Sequence, residues 1–346
     1  MNGIDIFEKG CFIIAEAGVN HNGKVELAYR LIDAAKEAGA DAVKFQTFKA
    51  EKVVSSVASK ATYQKKNTEN TEESQLEMIK KLELKFKDFK ALKEYCDKKS
   101  ITFLSTPFDH ESVDVLEPLV PVYKVASGEL INIPLLKYIA SKGKPMIIST
   151  GMARIGEVEE ALIAIDEVNP NIEKILLHCT TNYPCPYKEV NLRAMLTLRE
   201  AFKLPVGYSD HTLGIEVPIA AVALGAKVIE KHFTLDRNLP GPDHKASLEP
   251  SELKAMVKAI RNIERALGDG IKKPNESEIE IMKVARKSLV AGKYMKEGHI
   301  LTEKDLEIKR PGTGIQPKDI DKVVGLKINR DIKKDEVITW NMIKFQ

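Results

Sequence analysis

The chain has 346 residues, 43% of them hydrophobic, enough to bury a sizeable core in one large domain beside a smaller one. Its 53 basic and 50 acidic residues leave a formal net charge of +3, so nothing in the overall field suggests a nucleic-acid or membrane partner. No cleavable apolar leader opens the chain and no apolar run nears the roughly 20 residues of a membrane helix, so a cytoplasmic protein without a membrane partner is expected. Cys11, Cys96, Cys179 and Cys185 show no CxxC spacing and read as reduced thiols.

Short apolar runs alternate with segments of helical period. The first run, Phe12 to Gly18, precedes a helix in which Leu27, Leu31, Ala34, Ala35 and Ala38 share a face and Gly39 is the stop. Further strands are predicted at Ala42 to Thr47, Thr102 to Pro107, Val122 to Ser127, Met146 to Thr150, Ile175 to Thr180, Val206 to Ser209 and Val228 to Thr234. Helices are predicted between them at 89–98, 111–116, 134–141, 157–168, 192–202 and 215–224, and a last one runs from an N-cap at Ser251 to Gly268. Eight strand-helix units without a GxGxxG turn predict an α/β fold of the (β/α)8 TIM-barrel type rather than a doubly wound sheet.

The polar stretch Lys49 to Ser74 interrupts this rhythm, as either a cover for the barrel mouth or a surface insertion. Residues 1–268 form the predicted barrel and 269–286, opened by the breakers Gly270 and Pro274 among many charges, a linker. In residues 287–346 the segment from Lys296 echoes that from Lys333, 37 positions later. Two copies are too few for a solenoid and predict a compact pseudo-symmetric domain of short strands.

A barrel collects its chemistry at the carboxyl ends of its strands. His211 and His232 follow two successive strands and are candidate ligands for a divalent metal, with positions left open for substrate or water. Lys44 and Lys124 lie inside strands, where an ammonium needs an anion. That anion is either a barrel carboxylate such as Glu16 or Glu230, or a phosphorylated acid also held by Ser127, Ser149, Thr106, Asn182 and Ser209. Tyr183 and Asp243 stand in proline-bounded loops as candidate sugar contacts or as ordinary turn residues.

Together these stretches resemble the sialic acid synthase family: Ala-Glu-Ala-Gly-Val-Asn-His-Asn-Gly from Ala15, Val-Lys-Phe-Gln-Thr from Val43, Ser-Thr-Pro-Phe from Ser105, Lys-Val-Ala-Ser-Gly-Glu from Lys124, Ser-Thr-Gly-Met from Ser149, Thr-Thr-Asn-Tyr-Pro from Thr180, Ser-Asp-His-Thr from Ser209 and Gly-Pro-Asp-His-Lys-Ala-Ser from Gly241. The carboxyl-terminal segment resembles that family's antifreeze-like (SAF) β-clip domain. The resemblance implies condensation of phosphoenolpyruvate with N-acetylmannosamine to form N-acetylneuraminate and phosphate with C–O cleavage. The alternative acceptor is 2,4-diacetamido-2,4,6-trideoxymannose, the substrate of an N,N'-diacetyllegionaminate synthase.

By matching motif, Lys44, Thr106, Lys124, Ser127, Ser149, Asn182 and Ser209 would hold phosphoenolpyruvate, and Gln46, Glu129, Tyr183 and Asp243 would face the amino sugar. His211 and His232 would hold the metal, manganese in first place and magnesium or cobalt after it. Glu16, with Glu129 second, would handle protons. Arg310 would reach the partner's active site in a domain-swapped homodimer. A metal-dependent barrel hydrolase is the lower alternative, since the first strand offers Glu16 and no HxH pair; a binding module built around the carboxyl-terminal domain is another.

Overall fold

Eight parallel strands build the larger unit: β1 Phe12–Gly18, β2 Ala42–Thr47, β3 Thr102–Pro107, β4 Tyr123–Val125, β5 Met146–Ser149, β6 Lys174–Cys179, β7 Val206–Asp210 and β8 Val228–His232. The structure is a computed structural model that describes residues 10–68 and 72–345. The hydrogen-bonded order is β3-β2-β1-β8-β7-β6-β5-β4, and β3 and β4 neighbour each other across the remaining seam. This is the expected TIM barrel. Around it lie α1 Val25–Ala38, α2 Ala50–Val53, α3 Thr62–Thr68, α4 Gln75–Leu82, α5 Phe86–Lys99, α6 His110–Leu116, α7 Ile133–Ala140, α8 Ile155–Val168, α9 Ala194–Phe202, α10 Glu216–Ala223 and α11 Pro250–Leu267. Among the described residues no helix is long and apolar enough to cross a membrane.

Strand alternation sorts the side chains. Ile13, Val43, Phe45, Phe103, Tyr123, Ile148, Leu176 and Ile229 join the helices in one buried cluster, whereas Phe12, Ile14, Ala42, Leu104, Val122, Ile147, Ile175, Leu177 and Val228 form a second cluster of their own. The second cluster is the packed barrel interior. Two residues further along each strand the inward series turns polar: Glu16 after Ile14, Lys44 after Ala42, Thr106 after Leu104, Lys124 after Val122, Ser149 after Ile147 and Glu230 after Val228. An apolar plug thus carries a polar layer at the carboxyl ends of the strands. In β7 the inward place below Ser209 is taken by Gly207, where an added Cβ would lie 2.3 Å from the Val228 carbonyl oxygen and 2.7 Å from Leu177 Cδ2.

Four local expectations are revised. The buried face of α1 is Ala28, Leu31, Ile32, Ala35 and Ala38, rotated slightly from the predicted stripe. Strand β4 ends at Val125, and Ser127–Glu129 forms a 3-10 turn. Helix α11 begins at Pro250 with Glu249 as N-cap, not at Ser251, because Pro250 at the first helical position needs no amide partner. The Glu252 carboxylate accepts the Glu249 backbone N–H at 2.8 Å. Finally, the segment predicted as linker contains α12, Glu276–Ala285, none of whose residues is buried.

The two compact units part after Gly268. In the second, β9 Ser288–Ala291 pairs antiparallel with β10 Leu306–Lys309, and β11 Lys327–Ile328 with β12 Ile343–Lys344. The sequence repeat is a structural one. Val290 pairs with Glu307 and, 37 residues on, Lys327 pairs with Lys344. The bridges Val290 to Val337 and Ile300 to Lys327 exchange under the same offset, and Met295 and Ile332 exchange reciprocal backbone hydrogen bonds at 2.9 Å on the pseudo-twofold axis. In the first copy the buried Asp305 carboxylate accepts from the Thr302 backbone N–H and hydroxyl at 2.9 and 2.8 Å, and pairs with Lys293 and His299 at 2.6 and 3.0 Å.

Gly207→Ala should destabilise the barrel by about 1–3 kcal/mol through overpacking, read as a lower urea midpoint at unchanged slope. Burial raises the Asp305 pKa, but the bonds from Lys293, His299 and Thr302 outweigh it and hold the carboxyl well below the usual range. Stability from this group is therefore full above the unfolded value near 3.9 and drains away as pH falls below it. Asp305→Asn should flatten that acid limb for the second unit, followed by the near-ultraviolet signal of Trp340 between about pH 5 and 2.

Candidate functional site

Above the apolar plug lies a cavity of about 240 Å³ whose floor is a chain of buried charges. Lys44 Nζ is 2.8 Å from Glu16 Oε2 and 3.6 Å from Glu230 Oε2, and donates to Thr106 Oγ1 at 2.9 Å. Lys124 Nζ donates to Ser149 Oγ at 2.6 Å and to the Val125 carbonyl at 2.9 Å, with Glu230 Oε1 3.6 Å away. Ser209 Oγ donates to the same Glu230 oxygen at 3.1 Å. The lysine-to-glutamate pairing posed by the sequence is therefore present, and both ammoniums still line the cavity.

The charges are unequal. Burial pushes Glu16 up to about 7 against the pull of Lys44, with Glu230 adding to the rise. Burial also opposes charge on Glu230, yet Lys124 and Lys44 hold it below the ordinary carboxylate range. Lys124 is lowered by burial; Lys44, although equally buried, is raised by Glu16 and Glu230. Burial raises Asp243 to about 6.

The two histidines stand side by side, ring centroids 5.4 Å apart, at the ends of neighbouring strands. His211 Nδ1 meets the Thr180 carbonyl at 2.7 Å; since a carbonyl only accepts, Nδ1 donates, and in the neutral ring Nε2 is the nitrogen left with its lone pair. His232 Nδ1 is buried without a hydrogen-bond partner, 4.0 Å from Asp243 Oδ2. Behind them the alternate residue of β8, Lys231, reaches Asp210 Oδ2 at 2.5 Å with both side chains fully buried. Asp210 also accepts the Thr212 backbone N–H and hydroxyl at 3.0 Å each, and Lys231 donates to the Thr212 carbonyl. The loop carrying His211 is thereby pinned from behind.

The insertion between β2 and α5 closes the mouth. Tyr63 of α3 stacks on Tyr183 at 5.1 Å, Tyr183 lies 4.0 Å from the His211 ring, and Asn67 donates to the Pro242 carbonyl at 2.7 Å. At the end of β1 a register shift places Gly18 at φ +52, where a Cβ would be 3.2 Å from Glu16 Oε1 and 3.4 Å from Gln46 Nε2. Glycine there lets Gln46 donate to Glu16 at 3.3 Å.

Glu16, Lys44, Gln46, Thr106, Lys124, Ser127, Ser149, Tyr183, Ser209, His211, His232 and Asp243 all line the cavity. Asn182 is not among its lining residues, which include Thr181 instead; Glu129 is also absent, and its carboxylate accepts from Asn132 at 2.7 Å. Arg310 lies in the second unit, exposed, donating to the Ala285 carbonyl at 3.1 Å. Glu230, posed from the sequence only as one possible partner for a strand lysine, is the anion shared by both lysines, and Tyr63 and Gln64 from the insertion had been given no role. Glu230 was signalled by sharing the inward parity of His232, whereas Tyr63 had no periodic signal.

Residues 31–272 match the NeuB family model, and residues 286–344 match the SAF domain. The chain belongs to the NeuB family. A NeuB-family relative, the N,N'-diacetyllegionaminic acid synthase of Campylobacter jejuni, is 54% identical over 95% of this chain and 99% of its own. The protein of the same name from Legionella pneumophila is 49% identical over 96% and 95%. Among solved structures, the N-acetylneuraminic acid synthetase of Leptospira borgpetersenii superposes with a TM-score of 0.69 at 40% identity, over 79% of this chain and 90% of that one.

Lys231→Met would strand the buried Asp210 carboxylate. The expected cost is about 3–5 kcal/mol in chemical denaturation, with faster amide exchange across 209–213 than across β3.

Proposed function

We propose that the chain condenses phosphoenolpyruvate with the open-chain form of an N-acylated amino hexose, releasing inorganic phosphate and a nine-carbon 2-keto acid. The observation that carries this reading is the pair of buried ammoniums, Lys44 and Lys124, each bonded to a hydroxyl at the floor of the cavity. Such a pair suits a compact, multiply charged anion, because charge-assisted bonds in a dry site are strong and directional. Lys44, Thr106, Lys124, Ser127, Ser149 and Ser209 take the phosphate and carboxylate. Gln46, Tyr183 and Asp243 face the sugar. N-acetylmannosamine is the expected acceptor from the motifs alone; the names of the 54% and 49% identical relatives move 2,4-diacetamido-2,4,6-trideoxymannose ahead of it.

His211 and His232 fit a divalent cation, since one presents a fixed lone pair and the other a buried nitrogen without a partner. Among the described residues no three His, Cys, Asp or Glu groups gather as ligands, so the rest of the shell would come from substrate and water. When bound, manganese, or magnesium or cobalt in its place, would polarise the sugar aldehyde.

C3 of phosphoenolpyruvate forms the new bond to the aldehyde carbon, water adds at C2, and the C2–O bond to phosphate then breaks as the remaining C2 hydroxyl proton passes to the departing phosphate and the ketone forms. Glu16, with its carboxyl near 7, takes the proton of the added water and returns one to the new alkoxide. Glu129 sits off the cavity and has no step. Arg310, within the residues that match the SAF domain, would reach the sugar end of a second copy in a domain-swapped homodimer, as the family resemblance implies.

The test is phosphate release from phosphoenolpyruvate with N-acetylmannosamine, its 6-phosphate and the diacetamido sugar, with and without chelator. Turnover should need an N-acylated sugar and be lost with chelator or with His211→Ala; full activity in chelated enzyme would remove the metal from the reading. Lys124→Met should lower kcat/KM for phosphoenolpyruvate by about 10- to 200-fold while moving the sugar KM far less. Arg310→Ala should raise the sugar KM and leave the sedimentation of the dimer unchanged.

A further inference from the structure

The cavity has two chemically different halves. Every titratable acid, lysine and histidine that lines it, Glu16, Lys44, Lys124, Glu230, Asp243, His211 and His232, belongs to a barrel strand or to the loops after β7 and β8. The other half of the lining is apolar. It consists of Phe48 and Phe108 from the loops after β2 and β3, Val53 of α2, and Met78, Ile79 and Leu82 on successive turns of α4. The two phenylalanines meet edge to face at 6.2 Å, and Phe48, Val53, Ile79, Leu82 and Phe108 pack as one small cluster apart from the main core. Ile79 is half-buried, so part of its surface is left to face what enters.

A surface of this kind gains from contact with aliphatic carbon and loses when it must desolvate a hydroxyl or a phosphate. The floor takes an anion; the roof takes the reverse. Building on the proposed condensation, we propose that the roof formed by α4 and the two phenylalanines selects the acceptor by its methyl groups, with Ile79 as a specificity-determining residue. The favoured acceptors carry a methyl at C6 or at a second acetamido group, and a 6-hydroxyl or 6-phosphate is disfavoured. Both methyl sources present the same chemistry, and a graded set of acceptors separates them.

N-acetylmannosamine, its 6-deoxy analogue and 2,4-diacetamido-2,4,6-trideoxymannose are each assayed with saturating phosphoenolpyruvate. In the unmodified enzyme kcat/KM should rise about tenfold or more for at least one of the two added methyl groups, mainly through KM. Ile79→Asn should erase about tenfold of that rise at whichever step involves the roof, naming the methyl, and should leave the phosphoenolpyruvate KM within about twofold. Ile79→Val should keep the preference. If Ile79→Asn lowers the thermal midpoint sharply, Ile79→Thr, close to valine in size but carrying a hydroxyl, replaces it. Turnover of all three sugars with ratios unmoved by a folded Ile79→Asn or Ile79→Thr overturns the inference and leaves the condensation standing. No phosphate release from any acceptor by the unmodified enzyme overturns the condensation, and the inference with it.

Discussion

The structure depends on placing four charges on top of an apolar plug. Glu16, Lys44, Glu230 and Lys124 are all nearly excluded from solvent, and isolated burial of any one of them would be prohibitive. They are tolerable because each ammonium meets a carboxylate and a hydroxyl, and because the interior beneath them is filled by Phe12, Ile14, Leu104, Ile147 and Val228, which keep water out from below. A chain of this kind is poised rather than settled. Lys124 is held 3.6 Å from Glu230, longer than a hydrogen bond, so an arriving anion can compete for it without dismantling a tight pair, whereas Lys44 is held at 2.8 Å by Glu16.

The same period of two explains why so much of the site was legible. Once a strand is recognised, parity tells which residues face inward, and Lys44, Thr106, Lys124, Ser149 and Ser209 fall on the inward parity of five different strands. Parity also separates Glu230 and His232 from Lys231, although the three are consecutive titratable positions. The sequence alone offers no reason to rank Glu230 above Lys231 until one asks which of them shares a face with the histidine.

Legibility fails where the strand ends. Past Val125 the chain enters a 3-10 turn, so the motif that correctly brings Ser127 to the cavity gives no guidance for Glu129, which turns to Asn132. Past Cys179 the same loss of parity puts Thr181, and not Asn182, on the cavity. The insertion is a different failure. Its helix α3 has no apolar stripe and is held by what it lands on, Tyr183 and the Pro242 carbonyl, so its place is a tertiary fact. Helix α12 hid in the opposite way, its alternating acids and isoleucines reading as a charged linker because it buries none of them.

The stacking of Tyr63 on Tyr183 has a temporal meaning as well as a spatial one. Tyr183 touches the His211 ring on one side and the insertion on the other, so the aromatic pair sits between the charged floor and the outside. In the proposed reaction a molecule bound to Lys44 and Lys124 would lie beneath that pair, and one bound under the roof would lie across its path of escape. Under the proposed reaction this arrangement imposes a compulsory order: the floor ligand enters first, the acceptor seals it in, and the larger product must depart before the phosphate beneath it is free to follow.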